Sequence, residues 1–240
     1  MAALVVSDLH LDPANPGISA QFGGFLRALR EVEALYVLGD LFEAWIGDDD
    51  PEPHHRETIA GLRAAADAGV ALYFMHGNRD FLLGERFCRE TGGHLLADPT
   101  VVTRYGRRVL MTHGDALCAD DRPYQRLRAM VREPAWQSQF LALSVRQRQA
   151  LAQEARAGSR AHTSTQAQML MDVNADAVSN AFRTAGVDVI VHGHTHRPGS
   201  YEHEVDGRRR TRIVTGDWYA QGSVLRWDER GFELQALPRG

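Results

Sequence analysis

Five short apolar runs, each ending in a cluster of polar residues, constrain this chain more than any other feature. Residues 3–6, 34–38, 71–75, 108–111 and 187–191 each read as a buried strand of four or five residues. They run into Ser7-Asp8-Leu9-His10, Gly39-Asp40-Leu41-Phe42, His76-Gly77-Asn78-Arg79-Asp80, Thr112-His113-Gly114-Asp115 and His192-Gly193-His194-Thr195-His196. Between the first runs, residues 19–30 and 56–68 show helical spacing, and Gly69 stops the second helix. Alternation of strand and helix is the signature of a layered α/β fold. Ligand sites in such folds lie at the carboxyl ends of the strands, so five polar clusters at that position are expected to converge on one place. Residues 209–236 alternate polar and apolar side chains and predict antiparallel strands completing a sheet.

The rhythm breaks between residues 120 and 168. Leu127, Val131, Trp136, Phe140, Leu141, Leu143, Val145 and Leu151, with charges between them, predict several amphipathic helices. Residues 122–160 hold eight arginines against Glu133 and Glu154, a local balance of +6 in a chain of net charge −4. The expected organisation is one domain over 1–240, with 120–168 as a helical insertion that covers an anionic substrate or faces an anionic membrane. The net charge gives no basic field for nucleic acid, so none is expected as a partner. The chain enters a strand within its first residues, with no room for a signal peptide, and Cys88 and Cys118 form no framework. Both features predict a cytoplasmic protein with reduced thiols. All 27 basic residues are arginine, so a side-chain cation that meets phosphate is a planar, bidentate guanidinium.

The polar clusters supply Asp8, His10, Asp40, Asn78, His113, His194 and His196. Asp8 and His10 are two apart, so in extended chain their side chains point the same way. A set of nitrogen and oxygen donors without thiolate suits manganese, iron or zinc. Seven donors exceed one tetrahedral ion and match two ions about 3.5–4 Å apart that share a bridging carboxylate. His76 and His192 precede glycine on the strand side and read as structural.

The order Asp8-x-His10, Gly39-Asp40, Gly77-Asn78, His113-Gly114 and Gly193-His194-x-His196 resembles the calcineurin-like metallophosphoesterase superfamily. The resemblance implies a β-sandwich flanked by helices, with a centre of two divalent metal ions. One ion would sit on Asp8, His10, Asp40 and His196, the other on Asp40, Asn78, His113 and His194, with Asp40 bridging. Many members carry a histidine after the asparagine, where it assists a poor leaving group; Arg79 stands there instead. Arginine does not give up its proton at working pH but can hold developing phosphoryl charge. A phosphate leaving group needs no proton, so Arg79 points to pyrophosphate cleavage. Asp40, Asn78, Arg79 and His113 are the candidate catalytic residues.

The strings SDLHL, LGDLFEAWIGDD, HGNRDFLLG, HGDALCADD and IVHGHTHRP are similar, over essentially the whole chain, to the UDP-2,3-diacylglucosamine hydrolases. That resemblance implies substrate contacts at Asn78, Arg79, Asp121, Ser159, Thr163, Gln166 and His194. Thr163 stands where asparagine is common and Gln166 where lysine is, and Arg160 can take over part of the charge that a lysine would carry. It further implies manganese as the metal, and UMP and 2,3-diacylglucosamine 1-phosphate as products in lipid A synthesis. A monomer attached peripherally to the inner face of the cytoplasmic membrane is expected. Two alternatives compete: a pyrophosphatase for a soluble nucleotide diphosphate, and a non-catalytic scaffold with the same fold.

Overall fold

Strand β1 (Ala2–Val6) is buried on both faces, so it lies between two layers. Its period of two sends Ala3 and Val5 to one side and Leu4 and Val6 to the other. The same split recurs in β2 (Val32–Leu38), where Ala34, Tyr36 and Leu38 oppose Leu35 and Val37. The structure, a computed structural model, describes residues 1–162 and 172–239, the side chains of 156–162 excepted.

Strands β3 (Ala71–Met75) and β4 (His94–Leu96) extend β1 and β2 in parallel, while β10 (Gly222–Asp228) and β11 (Gly231–Leu237) add antiparallel strands beyond β1. The resulting sheet has the order β11-β10-β1-β2-β3-β4. A second sheet is built from β5 (Thr100–Arg104), β6 (Arg107–Met111), β7 (Val189–His192), β8 (Gly199–Val205) and β9 (Arg208–Val214). Its order is β5-β6-β7-β9-β8, with parallel pairs at its centre and antiparallel pairs at both edges.

The sheets meet over Ala3, Val5, Tyr36, Met111, Val191 and Trp227. The outer face of the first sheet is covered by α1 (Pro16–Ala28), α2 (Pro53–Asp67) and α3 (Glu85–Thr91), through Phe22, Leu62 and Phe87. That of the second sheet is covered by α7 (Ala175–Ala185) through Val178 and Phe182. The fold is therefore a β-sandwich flanked by helices.

Two departures from the sequence reading have physical causes. Residues 209–236 do not complete one sheet. Strand β9 pairs parallel with β7 in the second sheet, whereas β10 and β11 belong to the first. Strands β4, β5 and β8 were also not signalled, because they are short or lie at an edge and carry half-exposed polar residues.

Between β6 and β7 lie α4 (Arg122–Val131), α5 (Pro134–Leu141) and α6 (Val145–His162). Asp121 caps α4, accepting from the Tyr124 amide, and prolines open α4 and α5, where a missing N–H is harmless. No side chain of α4 or α5 is fully buried, and Leu127, Met130, Leu141 and Leu151 are 42–49% exposed. Phe140 differs: it stacks on Trp136, which meets Phe81, and packs against the main core. The apolar residues thus do not share one enclosed inner face.

Three of the eight arginines in this interval are neutralised from outside it. Arg128 and Arg132 form ion pairs with Asp98 and Asp115, and buried Arg148 grips Asp49 with two nitrogens. Their countercharges lie outside the basic interval. Among the described residues no helix is long and apolar enough to cross a membrane.

Candidate active site

Five of the seven predicted donors adopt left-handed backbone: Asp8 (φ 54°), His10 (50°), Asp40 (52°), His194 (66°) and His196 (53°). Each such residue stores strain on the order of 1–3 kcal/mol. Asp8 and His10 therefore do not share a direction through extended chain, as the spacing suggested. Left-handed residues on both sides of Leu9 redirect the chain, and Leu9 itself is fully buried. Hydrogen bonds from Asp8 N to Gly39 O (3.1 Å) and from His10 N to Asp40 O (2.9 Å) zip the first two loops together beyond the strands. Close approach elsewhere demands glycine. A Cβ on Gly77 would lie 2.1 Å from Asp40 Oδ1, and one on Gly193 would lie 2.3 Å from Asp8 Oδ2.

The donors converge in two groups. In the first, His10 Nε2 is 3.3 Å from His196 Nε2 and 3.7 Å from Asp40 Oδ2, and His196 Nε2 is 3.5 Å from Asp8 Oδ1. In the second, Asn78 Oδ1 accepts from His113 Nε2 and His194 Nδ1, both at 3.0 Å. Asp40 stands between them, its Oδ1 3.9 Å from His113 Nε2. Two sets, Asp8–His10–His196 and Asp8–Asp40–His113, place their ligand atoms within 4.8 Å of one another. Asp8 Oδ1 is buried without a hydrogen-bond partner. An orphaned carboxylate oxygen among facing imidazole nitrogens fits divalent cations, which metallophosphoesterases use.

The charges agree with that fit. Burial would raise the Asp8 carboxyl, but His196, His113 and His10 override it and hold it far below the carboxylate range. Burial would lower His113, yet Asp40, Asp115 and Asp8 raise it to about 9. Its Nδ1 donates to Leu38 O at 2.8 Å, which aims Nε2 into the site. His194, buried and beside His113, falls to about 4. His192 falls to about 3 through burial and Arg212, whose guanidinium donates to its Nε2. It is structural, as its position before Gly193 implied. His76 likewise bonds Leu83 O.

Supporting residues were not singled out from the sequence. Glu43 holds His10 Nδ1 at 2.9 Å and Asp217 stands 3.5 Å from His196 Nδ1, so a carboxylate orients each ring. Glu43 lies three residues beyond Asp40, a spacing that could have marked it. Asp80 is fully buried and accepts from the amides of Asp40, Leu41 and Gly77, tying the second loop to the third. Asp115 accepts from Arg128, Arg132 and Tyr124, and the Tyr124 ring stacks on His194 at 5.9 Å, so α4 is anchored beside the second group.

Arg79 is half-buried beside Asp40. Its amide donates to Asp40 Oδ1 at 2.8 Å, and its Nε has no hydrogen-bond partner. Of the other predicted contacts, Asp121 serves as the cap of α4. Ser159 and Arg160 lie on α6, with side chains outside the described residues, and Thr163 and Gln166 lie wholly outside them.

The class follows from sandwich and site together, and comparison with known proteins agrees. The calcineurin-like phosphoesterase family matches residues 1–198. A UDP-2,3-diacylglucosamine hydrolase of Stenotrophomonas maltophilia is 49% identical, with 100% of each chain covered. Those of Xanthomonas oryzae and an Enterobacter species are 48% and 47% identical, covering 98% and 99% of this chain and 98% and 100% of their own. The chain belongs to the calcineurin-like phosphoesterases and, among them, to the family of the UDP-2,3-diacylglucosamine hydrolases.

Proposed function

We propose that this protein hydrolyses the pyrophosphate bond of UDP-2,3-diacylglucosamine, releasing UMP and 2,3-diacylglucosamine 1-phosphate for lipid A synthesis. The observation that supports this best is 47–49% identity, over essentially full length, to hydrolases named for that substrate. In this reading Asp8, His10, Asp40 and His196 hold one divalent ion, and Asp40, Asn78, His113 and His194 hold a second, with manganese as the metal. Bound there, the ions would lower the pKa of a water and screen phosphate charge.

The chain's own groups do the rest. Asp40 is fixed by the Arg79 amide and lies between both groups, as a shared ligand must. Arg79 has a buried Nε without a hydrogen-bond partner and holds the charge that grows on the phosphoryl oxygens. A water that has given up one proton to solvent bonds through its oxygen to phosphorus as the bridging P–O bond breaks, and the departing phosphate leaves as an anion. No side chain need protonate it, which suits arginine in place of histidine.

Helices α4–α6, within the 120–168 insertion, act as the lid. In this reading Asp121 and His194 contact the polar head, Ser159, Thr163 and Gln166 are assigned to it by the family resemblance alone, and the exposed Leu127, Met130, Leu141 and Leu151 receive acyl chains at the inner membrane surface. The protein works as a monomer. Incubation with the lipid nucleotide and Mn²⁺, followed by mass analysis, should yield both products, and EDTA should stop the reaction. Equal turnover of soluble nucleotide diphosphates would favour the less specialised pyrophosphatase. Failure to bind metal or turn over either substrate would leave a scaffold.

A further inference from the structure

The candidate site has an aromatic ring at each end, and only one belongs to the helical insertion. Tyr124 of α4 lies on His194, beside Asn78 and His113. At the other end Tyr219 lies flat on His10, with ring centroids 5.4 Å apart and planes inclined by 10°, and approaches His196 at 5.9 Å. Tyr219 sits in the bend between β9 and β10, where its amide is pinned by Asp217 Oδ1 at 3.0 Å. One face of the ring is occupied by His10, yet the residue remains 47% exposed. An aromatic ring held flat, backed by a fixed imidazole and open to solvent beside a phosphate site, has the form of a stacking platform for a planar base.

The surrounding charge narrows the occupant. Glu43 and Asp217, the carboxylates that orient His10 and His196, flank this end. Arg79 also acts on the Tyr219 hydroxyl, so the two carboxylates are partly offset and this end carries no excess positive charge for a second phosphate, which suits a neutral heterocycle with an imide N–H. The other end is different: α4 is anchored there, and Met130 and Leu127 are open on the same helix. A substrate with one lipid half and one nucleotide half, joined by a pyrophosphate across the site, then has only one orientation.

We propose that the Tyr219 ring carries the uracil of the substrate, so that the nucleotide half lies on the His10–His196 side and the lipid half on the Asn78–His113–His194 side. This rests on the substrate proposed above. The test uses the Mn²⁺-loaded protein and compares UMP with ribose 5-phosphate as inhibitors, since ribose 5-phosphate carries only a hydroxyl at the anomeric carbon where UMP carries the base. Stacking of one base corresponds to about 5- to 150-fold in affinity. UMP should therefore inhibit the unsubstituted protein at least about 5-fold more tightly than ribose 5-phosphate. Tyr219→Ala should collapse that ratio toward one, and Tyr219→Phe should keep it.

A ratio near one in the unsubstituted protein overturns the proposal, as does a ratio that Tyr219→Ala leaves intact. Equal weakening of both inhibitors by Tyr219→Ala also overturns it, because the ring would then merely brace His10. If the protein shows the base-dependent ratio but does not cleave the lipid nucleotide, the proposed substrate fails while the platform stands.

Discussion

Arg79 follows Asn78 at the position where a proton-donating histidine would serve a poor leaving group, and it cannot donate in that way. What it can do depends on its planar fork. Arg79→Ala should lower kcat by about 10²–10³-fold, the usual loss for a charge-stabilising donor, with a smaller change in KM. Arg79→Lys should recover little of this, because a point charge lacks the bidentate geometry. A rise in KM alone would show that the residue binds ground and transition states equally. Asp40 carries a different expectation, because its two oxygens face the two donor groups, Oδ2 toward His10 and Oδ1 toward His113. Asp40→Asn should abolish turnover and reduce bound metal measured by elemental analysis; near-normal activity at saturating Mn²⁺ would refute the shared-ligand role. The seven side chains that the fold brings together were readable in the sequence because the chemistry of each travels with its side chain. Their left-handed backbone was not, since nothing in Asp8 or His196 marks strain until the loops are packed. Nor were the partners Glu43 and Asp217, which gain meaning only when distant loops meet.

At the scale of elements, the strands that carry the site were legible because both their faces are buried, which removes alternation and leaves unbroken apolar runs. Edge strands such as β8, with polar residues on an open face, lack that signal. The helical insertion was legible as helices but not as a field. The sequence shows eight arginines there, and only the fold shows Asp98, Asp115 and Asp49 neutralising three of them. The fold also separates two neighbours that look equivalent in sequence. Phe140 packs on Trp136 and the main core, whereas Leu141 is 42% exposed. Leu141→Asp should therefore fold normally and raise KM for the lipid substrate, since each methylene kept from water contributes about 0.8 kcal/mol. Its rate on a small soluble phosphodiester should stay within about twofold. Phe140→Asp should instead lower the melting temperature and depress both activities. Equal losses in both assays for Leu141→Asp would make α5 a purely structural element.

For the whole molecule, the sandwich must hold five strained residues and a concentration of buried charge at one end of its sheets. Rigid strands on two sheets supply that constraint, and bound metal would add to it. An ion that binds only the folded chain stabilises it by about 2.7 kcal/mol when present at 100 times its Kd. The dependence of this gain on pH follows from His113. In the metal-free protein its pKa is raised to about 9, against about 6.5 in the unfolded chain. Its contribution to stability is therefore complete below about pH 6.5 and is lost as the pH climbs through about 9. His194 and His192, lowered to about 4 and about 3, act in the opposite sense, but only below about pH 6.5. Metal and proton compete for the same ring nitrogen of His113, so metal affinity rises over the window in which the proton leaves. Melting curves from pH 6.5 to 9 should accordingly diverge: the EDTA-treated protein should lose stability as pH rises, and the Mn²⁺ increment should grow. Calorimetric titration of Mn²⁺ at pH 7, repeated in buffers of different ionisation enthalpy, should reveal proton release, chiefly from His113 with a further share from His196, whose pKa is also raised. In Asp40→Asn the Mn²⁺ increment should vanish at every pH. A Mn²⁺ increment independent of pH, with no proton released, would exclude His113 from the metal site.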